Sequence, residues 1–479
     1  MKKLTSFLAI ALLMLACTDD FDDINTNNNE PESVTSDLLL STIISNNMDR
    51  YISDGWSRGN IVAQLTAKIN FTDFDRYNWG SEGGTWNSLY GNLTEVELIL
   101  ESARAEGTKN TSYEGIALIL RAWMYSQLTD NWGDVPFSEA IKGQTEGNFQ
   151  PAYDSQESIY TALQSDLSTA NDLLAQGMPI FGGDLLYNGD LLKWRKLANS
   201  LRLRYLMRVS NRIDISTEFD RIVSNEPVFE SNADNAVLIY PAVSVATSFP
   251  IGRGRIGGFD EHRLSETSEA VLKQYNDNRL NTWFQVTDNP NDDPDLFVGL
   301  PNGLSENNAS TFNGGASNVS RLNQSLFFDS PNAVGASMMQ FAEVQFLLAE
   351  AAQRGLITAN ARDHYEAGIT ASFEYWNTQQ DMPTYLAQPG VIYDGQLETI
   401  MRQKWLASFM TGMEAWYDLR RTGLPTNIVP GQDNVNGDAV PVRFLYPDQE
   451  QSLNADNYQK AVSDMGGADD INIKGWWEN

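Results

Sequence analysis

Cysteine and histidine are almost missing from this chain. Cys17 is the only cysteine among 479 residues, and His262 and His364 are the only histidines. One thiol cannot build a disulfide framework. Two imidazoles leave little material for a zinc site or a serine–histidine triad. Positive charge is also scarce: 33 Lys and Arg stand against 63 Asp and Glu, a net charge of −30. That balance argues against a nucleic-acid surface, which needs cationic patches to displace counterions. It argues equally against docking on anionic lipid. An acidic exterior favours solubility and suits a neutral ligand without naming one. No apolar run approaches the roughly 20 residues of a membrane-spanning helix. Neither G-x-S-x-G nor H-E-x-x-H occurs.

What is present begins at the N-terminus. Lys2 and Lys3 precede an apolar run from Leu4 to Ala16, which stops at Cys17. A charged start, a short apolar stretch and a small residue before the break form a secretory signal peptide. With the break falling before a lone cysteine, the pattern is that of a bacterial lipoprotein whose thiol is acylated, the alternatives being a plain signal peptide that ends in cysteine or a free buried thiol. Met14-Leu15 is bulkier than the usual lipobox. The expected organisation is a signal peptide over 1–16, a lipidated N-terminus and acidic tether over 17–36, and a single domain over 37–479. The tether, TDDFDDINTNNNEPESVTS, is nearly free of apolar residues, the composition of a flexible segment. An acidic stretch in this place either signals surface display or is a plain solvated linker.

Periodicity predicts a mainly helical fold. Trp86, Leu89, Tyr90, Leu93, Val96, Leu100 and Ala103 recur at steps of three and four over 84–106. Ile116, Ala117, Leu120, Met124 and Leu128 do the same over 113–128. Further helices are expected at 156–176, 190–211, 338–354, 359–377 and 395–411. Short polar links between them predict stacked antiparallel pairs of the tetratricopeptide kind. Residues 212–336 differ. They are rich in Gly, Asn, Asp, Ser and Pro, with short strand-like runs such as Ala236–Tyr240. They read as an irregular, loop-rich elaboration on a helical scaffold.

Several segments carry a resemblance. They are Leu120-Arg121-Ala122-Trp123 through Asn131-Trp132-Gly133-Asp134-Val135-Pro136, then Tyr153-Asp154 to Tyr160. Met401-Arg402-Gln403-Lys404-Trp405 and Glu414-Ala415-Trp416-Tyr417-Asp418-Leu419-Arg420-Arg421 follow, and the chain ends with Trp476-Trp477. In order and spacing they resemble the SusD/RagB family of nutrient-binding outer-membrane lipoproteins. The resemblance implies a lipid-anchored, non-enzymatic protein on the outer face of the outer membrane. It implies capture of an oligosaccharide, or in some branches a peptide, and delivery to a SusC-type TonB-dependent transporter. A secreted glycoside hydrolase is the competing class, since two carboxylates across a cleft suffice for that chemistry.

Sugar binding needs flat apolar faces and polar side chains for hydroxyls. Phe71-Thr72-Asp73-Phe74-Asp75-Arg76-Tyr77-Asn78-Trp79-Gly80 offers both in one predicted loop. Arg76, Tyr77, Asn78 and Trp79 are the candidate ligand residues, the alternative being that these rings cover the core. The resemblance adds Trp283 as a second aromatic, and Trp56 is a weaker candidate. No cofactor is expected. Asp288-Asn289-Pro290-Asn291-Asp292-Asp293-Pro294-Asp295 is dense in oxygen ligands but lacks EF-hand spacing, so calcium competes with a solvated acidic loop. Gly252-Arg253-Gly254-Arg255-Ile256-Gly257 has the letters of a dinucleotide motif without its strand–helix context and reads as a turn. Arg402, Arg420 and Arg421 are expected to pair with Glu398, Glu414 and Asp418.

Overall fold

The computed structural model describes residues 35–289, 296–330 and 332–478. Cys17, the segment 1–16, nearly all of 17–36 and most of the acidic loop 288–295 lie outside the described residues. Ten helices organise the fold: α1 (Ser36–Asp54), α2 (Gly83–Arg104), α3 (Thr111–Trp132), α4 (Gln156–Leu174), α5 (Leu191–Val209), α6 (Glu266–Gln274), α7 (Phe341–Gln353), α8 (Ala361–Tyr375), α9 (Leu397–Ala407) and α10 (Glu414–Thr422). Six short strands accompany them: β1 (Thr66–Lys68), β2 (Val135–Pro136), β3 (Tyr153–Asp154), β4 (Ala236–Leu238), β5 (His262–Leu264) and β6 (Ala336–Met339). They pair antiparallel as β1–β5, β2–β3 and β4–β6. The fold is mainly helical, as the periodicity predicts.

Helix starts follow local chemistry. Asn110 caps α3 by accepting from the amides of Ser112 and Tyr113, and Asp190 caps α5 in the same way. Each helix then packs on the next in sequence, α1 on α2, α2 on α3, α3 on α4 and α4 on α5, and α7 packs on α8. Trp86, Leu89, Leu93, Val96, Leu100 and Ala103 of α2 are buried, matching the stripe in the sequence. Helix α3 sits between neighbours and is buried on nearly all sides. Gly115 lets it approach α4: a Cβ there would lie 2.8 Å from Leu174 Cγ.

Helix α5 carries three buried arginines, Arg202, Arg204 and Arg208. Arg204 Nε donates to Glu343 Oε1 of α7 at 2.7 Å, and its Nη1 lies 3.4 Å from Glu414 Oε1 of α10. Arg208 also meets Glu414, and its Nε lies 3.9 Å from Asp130 of α3. Buried charges need such partners. Arg402 pairs with Glu398 and Arg421 with Asp418, as expected. Arg420 instead meets Glu478, because the chain end folds back with Trp477 fully buried beneath it.

One helix boundary shifts. The helix predicted from 338 starts at Phe341, because Met338 and Met339 are buried in β6 against β4. The stretch 212–336 is built of short elements joined by loops, as its composition suggests. It contains α6, a helix at Ser216–Asn225 and strands β4 and β5. A small core of Ala67, Ile69, Leu300, Leu304, Ala309 and Val319 lies apart from the main one and joins this stretch to β1.

Candidate functional site

Over that small core opens a cleft of 600 Å³. One wall is α6 with Glu266 and Thr267, and the opposite wall is the loop Val429-Pro430-Gly431-Gln432. Gln64 and Asn302 form its floor, with Leu304, Asn308 and the half-buried ring of Phe312 at one end. Phe312 packs on the small core, which fixes the ring while leaving part of it open.

The floor is tightly wired. Asn302 Nδ2 donates to Asp75 Oδ1 at 2.8 Å and to the Thr66 carbonyl at 2.9 Å, while Ser265 Oγ donates to Asn302 Oδ1 at 2.6 Å. Asp75 Oδ2 accepts the Lys68 amide at 3.0 Å. Burial pushes the Asp75 carboxyl up to about 6, against the pull of those donors. Thr267 Oγ1 donates to Gln64 Oε1 at 2.8 Å, and Gln64 Nε2 donates to the Val429 carbonyl, tying both walls to the floor. A Cβ on Gly431 would lie 1.8 Å from the Asn302 carbonyl, so only glycine permits this closeness. Three non-glycine residues here hold positive φ: Gln64 at 53°, Phe71 at 52° and Tyr77 at 63°. Such conformations persist only where surrounding structure enforces them.

The loop carrying Arg76, Tyr77, Asn78 and Trp79 abuts this cleft. Arg76 Nε donates to the Asp433 carbonyl at 2.9 Å, and its own carbonyl accepts the Val435 amide. Asp433 Oδ2 in turn accepts from the Ser305 amide at 2.8 Å and Asn308 Nδ2 at 2.6 Å. Arg76 therefore braces the cleft wall. Asn78 is exposed, with Nδ2 on Asp73 Oδ1 at 3.2 Å. Tyr77 is only 4% exposed and sits in the main core. Trp79 is half-buried: it stacks on Phe74 at 4.6 Å, edges onto Trp416 and donates its indole N–H to the Phe74 carbonyl at 2.9 Å.

Trp283, expected near the ligand, is not at the cleft. It is fully buried, stacked on Phe409 at 4.3 Å and edged by Trp376. Two aromatic neighbours in the fold took a ring that the local sequence left free. Trp56 is likewise engaged, on Phe259 at 5.4 Å and His262 at 4.1 Å. Phe312, by contrast, drew no attention in the sequence. Its neighbours Thr311, Asn313 and Gly314 are turn formers, and a lone ring in such a stretch was the available signal.

Glu266 is the sole carboxylate lining the cleft among the described residues. The facing carboxylate pair of a glycosidase is thus not assembled there. Another cleft, of 470 Å³, lies beside α2 and α3, but its cations are paired: Arg121 with Asp166 at 2.8 Å, Arg104 with Glu114 at 2.7 Å and Lys142 with Glu146 at 3.6 Å.

The architecture is a mainly helical scaffold of stacked pairs with a polar cleft built on the stretch between them. Residues 28–447 match the SusD-like family, described as starch-binding and associating with the outer membrane, and the chain belongs to that family. Its fold is that of solved SusD homologues. A candidate nutrient-binding outer membrane protein of Bacteroides vulgatus superposes with a TM-score of 0.82 at 28% identity, covering 93% of this chain and 100% of that one. A SusD homologue of Bacteroides fragilis gives 0.80 at 27%, covering 93% and 99%. A chitin-binding protein gives 0.80 at 27%, covering 92% and 99%. No curated sequence matches significantly. No helix among the described residues is long and apolar enough to cross a membrane.

Proposed function

We propose that this protein is a surface lipoprotein that captures a nutrient oligosaccharide in the cleft over Gln64 and Asn302 and passes it to a SusC-type TonB-dependent transporter. The observation that carries the reading is the cleft's lining: amides and hydroxyls from Gln64, Thr267, Asn308 and Gln432 beside one aromatic ring, Phe312, and a single charge, Glu266. Amides and hydroxyls satisfy sugar hydroxyls, and the ring takes a pyranose face. Membership of a starch-binding family supports this choice, as does likeness to a chitin-binding protein. The protein acts by binding and catalyses nothing. Acylated Cys17 tethers it to the outer membrane, facing outward, and the acidic residues after it give the tether length. Transport energy comes from the partner.

The test is a glycan-array and peptide screen with the soluble protein starting after Cys17, followed by calorimetry on any hit. Binding to a neutral oligosaccharide is expected, weakened about tenfold or more by Phe312→Ala with the fold intact. Capture of peptides in place of glycans would overturn the sugar reading. Cys17→Ala is expected to move the protein out of the membrane fraction, and co-purification with the transporter tests the docking step.

A further inference from the structure

The cleft does not end at α6. A second hollow of 370 Å³ adjoins it, lined by Glu266, Thr267, Ala270, Gln274, Arg402 and Asn427. Glu266 and Thr267 line both hollows. The same two walls continue: α6 on one side, and on the other a single segment giving Asn427 to the second hollow and Val429 to Gln432 to the first. The nine residues of α6 span about 13 Å, so the combined groove is much longer than one pyranose ring. At its far end the Arg402 guanidinium is held in place, with Nη1 on the Tyr275 hydroxyl at 3.1 Å and Nη2 on Glu398. Its side chain keeps 25% of its surface open.

We infer that the two hollows form one extended groove that takes an uncharged oligosaccharide of several units, with Arg402 and Gln274 contacting the end remote from Phe312. This rests on the first hollow being a sugar site. The class of ligand follows from charge. The lining contributes one carboxylate, Glu266, and one guanidinium, Arg402, the latter already facing Glu398. A groove balanced in this way, on a molecule of net charge −30, repels a polyanion and has no cation free for it. Exposed Ala270 puts only a methyl group on the α6 wall between the ends, and Thr267, Gln274 and Asn427 supply donors and acceptors for hydroxyls.

The experiment measures affinity against length for neutral malto-, chito-, cello- and xylo-oligosaccharides, from disaccharide to hexasaccharide, with wild type, Arg402→Ala, Gln274→Ala and Phe312→Ala. The expected result is affinity that rises with length in the series that binds. Arg402→Ala should weaken the hexasaccharide about tenfold, as for one lost charge-assisted hydrogen bond, and leave the disaccharide unchanged. Gln274→Ala, at an exposed position outside any ion pair, should shift the hexasaccharide alone in the same direction. Phe312→Ala should weaken both lengths. A hexasaccharide that binds no better than the disaccharide, or a loss on Arg402→Ala equal at both lengths, would overturn the extended groove while leaving the sugar site. Binding of none of the neutral series, or indifference to Phe312→Ala, would overturn the sugar site itself.

Discussion

Asp75 is a carboxylate held where its charge is poorly solvated. It is 3% exposed and bridges β1 to the loop that carries Asn302. Its folded-state value, about 6, stands above the ordinary 3.8. The group's contribution to stability is therefore complete below about pH 4 and is lost as pH rises through about 6. Asp130, raised to about 6 by burial beside Arg208, follows the same sign. Asp75→Asn removes this titration but leaves a donor facing donors. Its stability deficit relative to wild type is expected to shrink between about pH 4 and about pH 7.5, as read from urea midpoints. A deficit that grows with pH would contradict the buried-charge account. At Trp283 the expectation is purely structural: Trp283→Ala removes a fully buried ring stacked on Phe409. It should cost about 3–5 kcal/mol in unfolding free energy. Trp79→Ala, which opens a half-buried site among Phe74, Trp416 and Phe444, should cost about 2 kcal/mol. Binding measured on that variant has to be read after its stability.

Between elements, the site depends on backbone that meets backbone. A Cβ on Gly59 would lie 1.9 Å from the Gly412 carbonyl, and Gly412 itself holds φ +55° beneath Tyr51. This contact clamps the helical segment Gly55–Gly59, which continues α1, to the turn before α10, one short helix away from Gln64. Neither partner is a flexible side chain, so Gly59→Ala should destabilise by about 1–3 kcal/mol or more, measured by thermal or urea unfolding. Loss below about 0.5 kcal/mol would mean that the turn relaxes freely. At this scale the helices were legible in the sequence, because a stripe such as Leu89, Leu93, Val96 and Leu100 has the 3.6-residue period. Met338 and Met339 were not, because an apolar run is ambiguous until a strand pairs with it. The cleft was only partly legible. The loop at 71–80 was legible, yet its rings turn mostly inward, since Phe74 and Trp79 pack against Trp416 and Phe444 from distant segments.

For the whole molecule, the surplus of acid sets the terms of recognition. With a net charge of −30, affinity for a charged ligand would change steeply with salt, while affinity for a neutral oligosaccharide should not. Calorimetric Kd is expected to vary less than about twofold between roughly 0.02 and 0.5 M salt. A larger change would point to charge recognition that the groove's balanced lining does not provide. The same surplus makes the internal arginines informative. Arg204, Arg208 and Arg421 are buried against Glu343, Glu414 and Glu350, joining α5, α7 and α10 across the stack. Removing one partner leaves an unmatched buried charge, a costlier change than replacing a whole pair.

Composition, apolar period and turn chemistry act over a few residues, so the sequence by itself determined the helical class, the pairing of neighbouring helices and the family. Which rings face a ligand depends on what lies opposite them in space. Trp283 could not be known to meet Phe409, nor Gln64, Thr267 and Val429 to converge, until segments up to several hundred residues apart were packed together. Burial is a property of the packed chain, and it decided that Trp283 is closed off in the core while the ring of Phe312 stays partly open at the cleft.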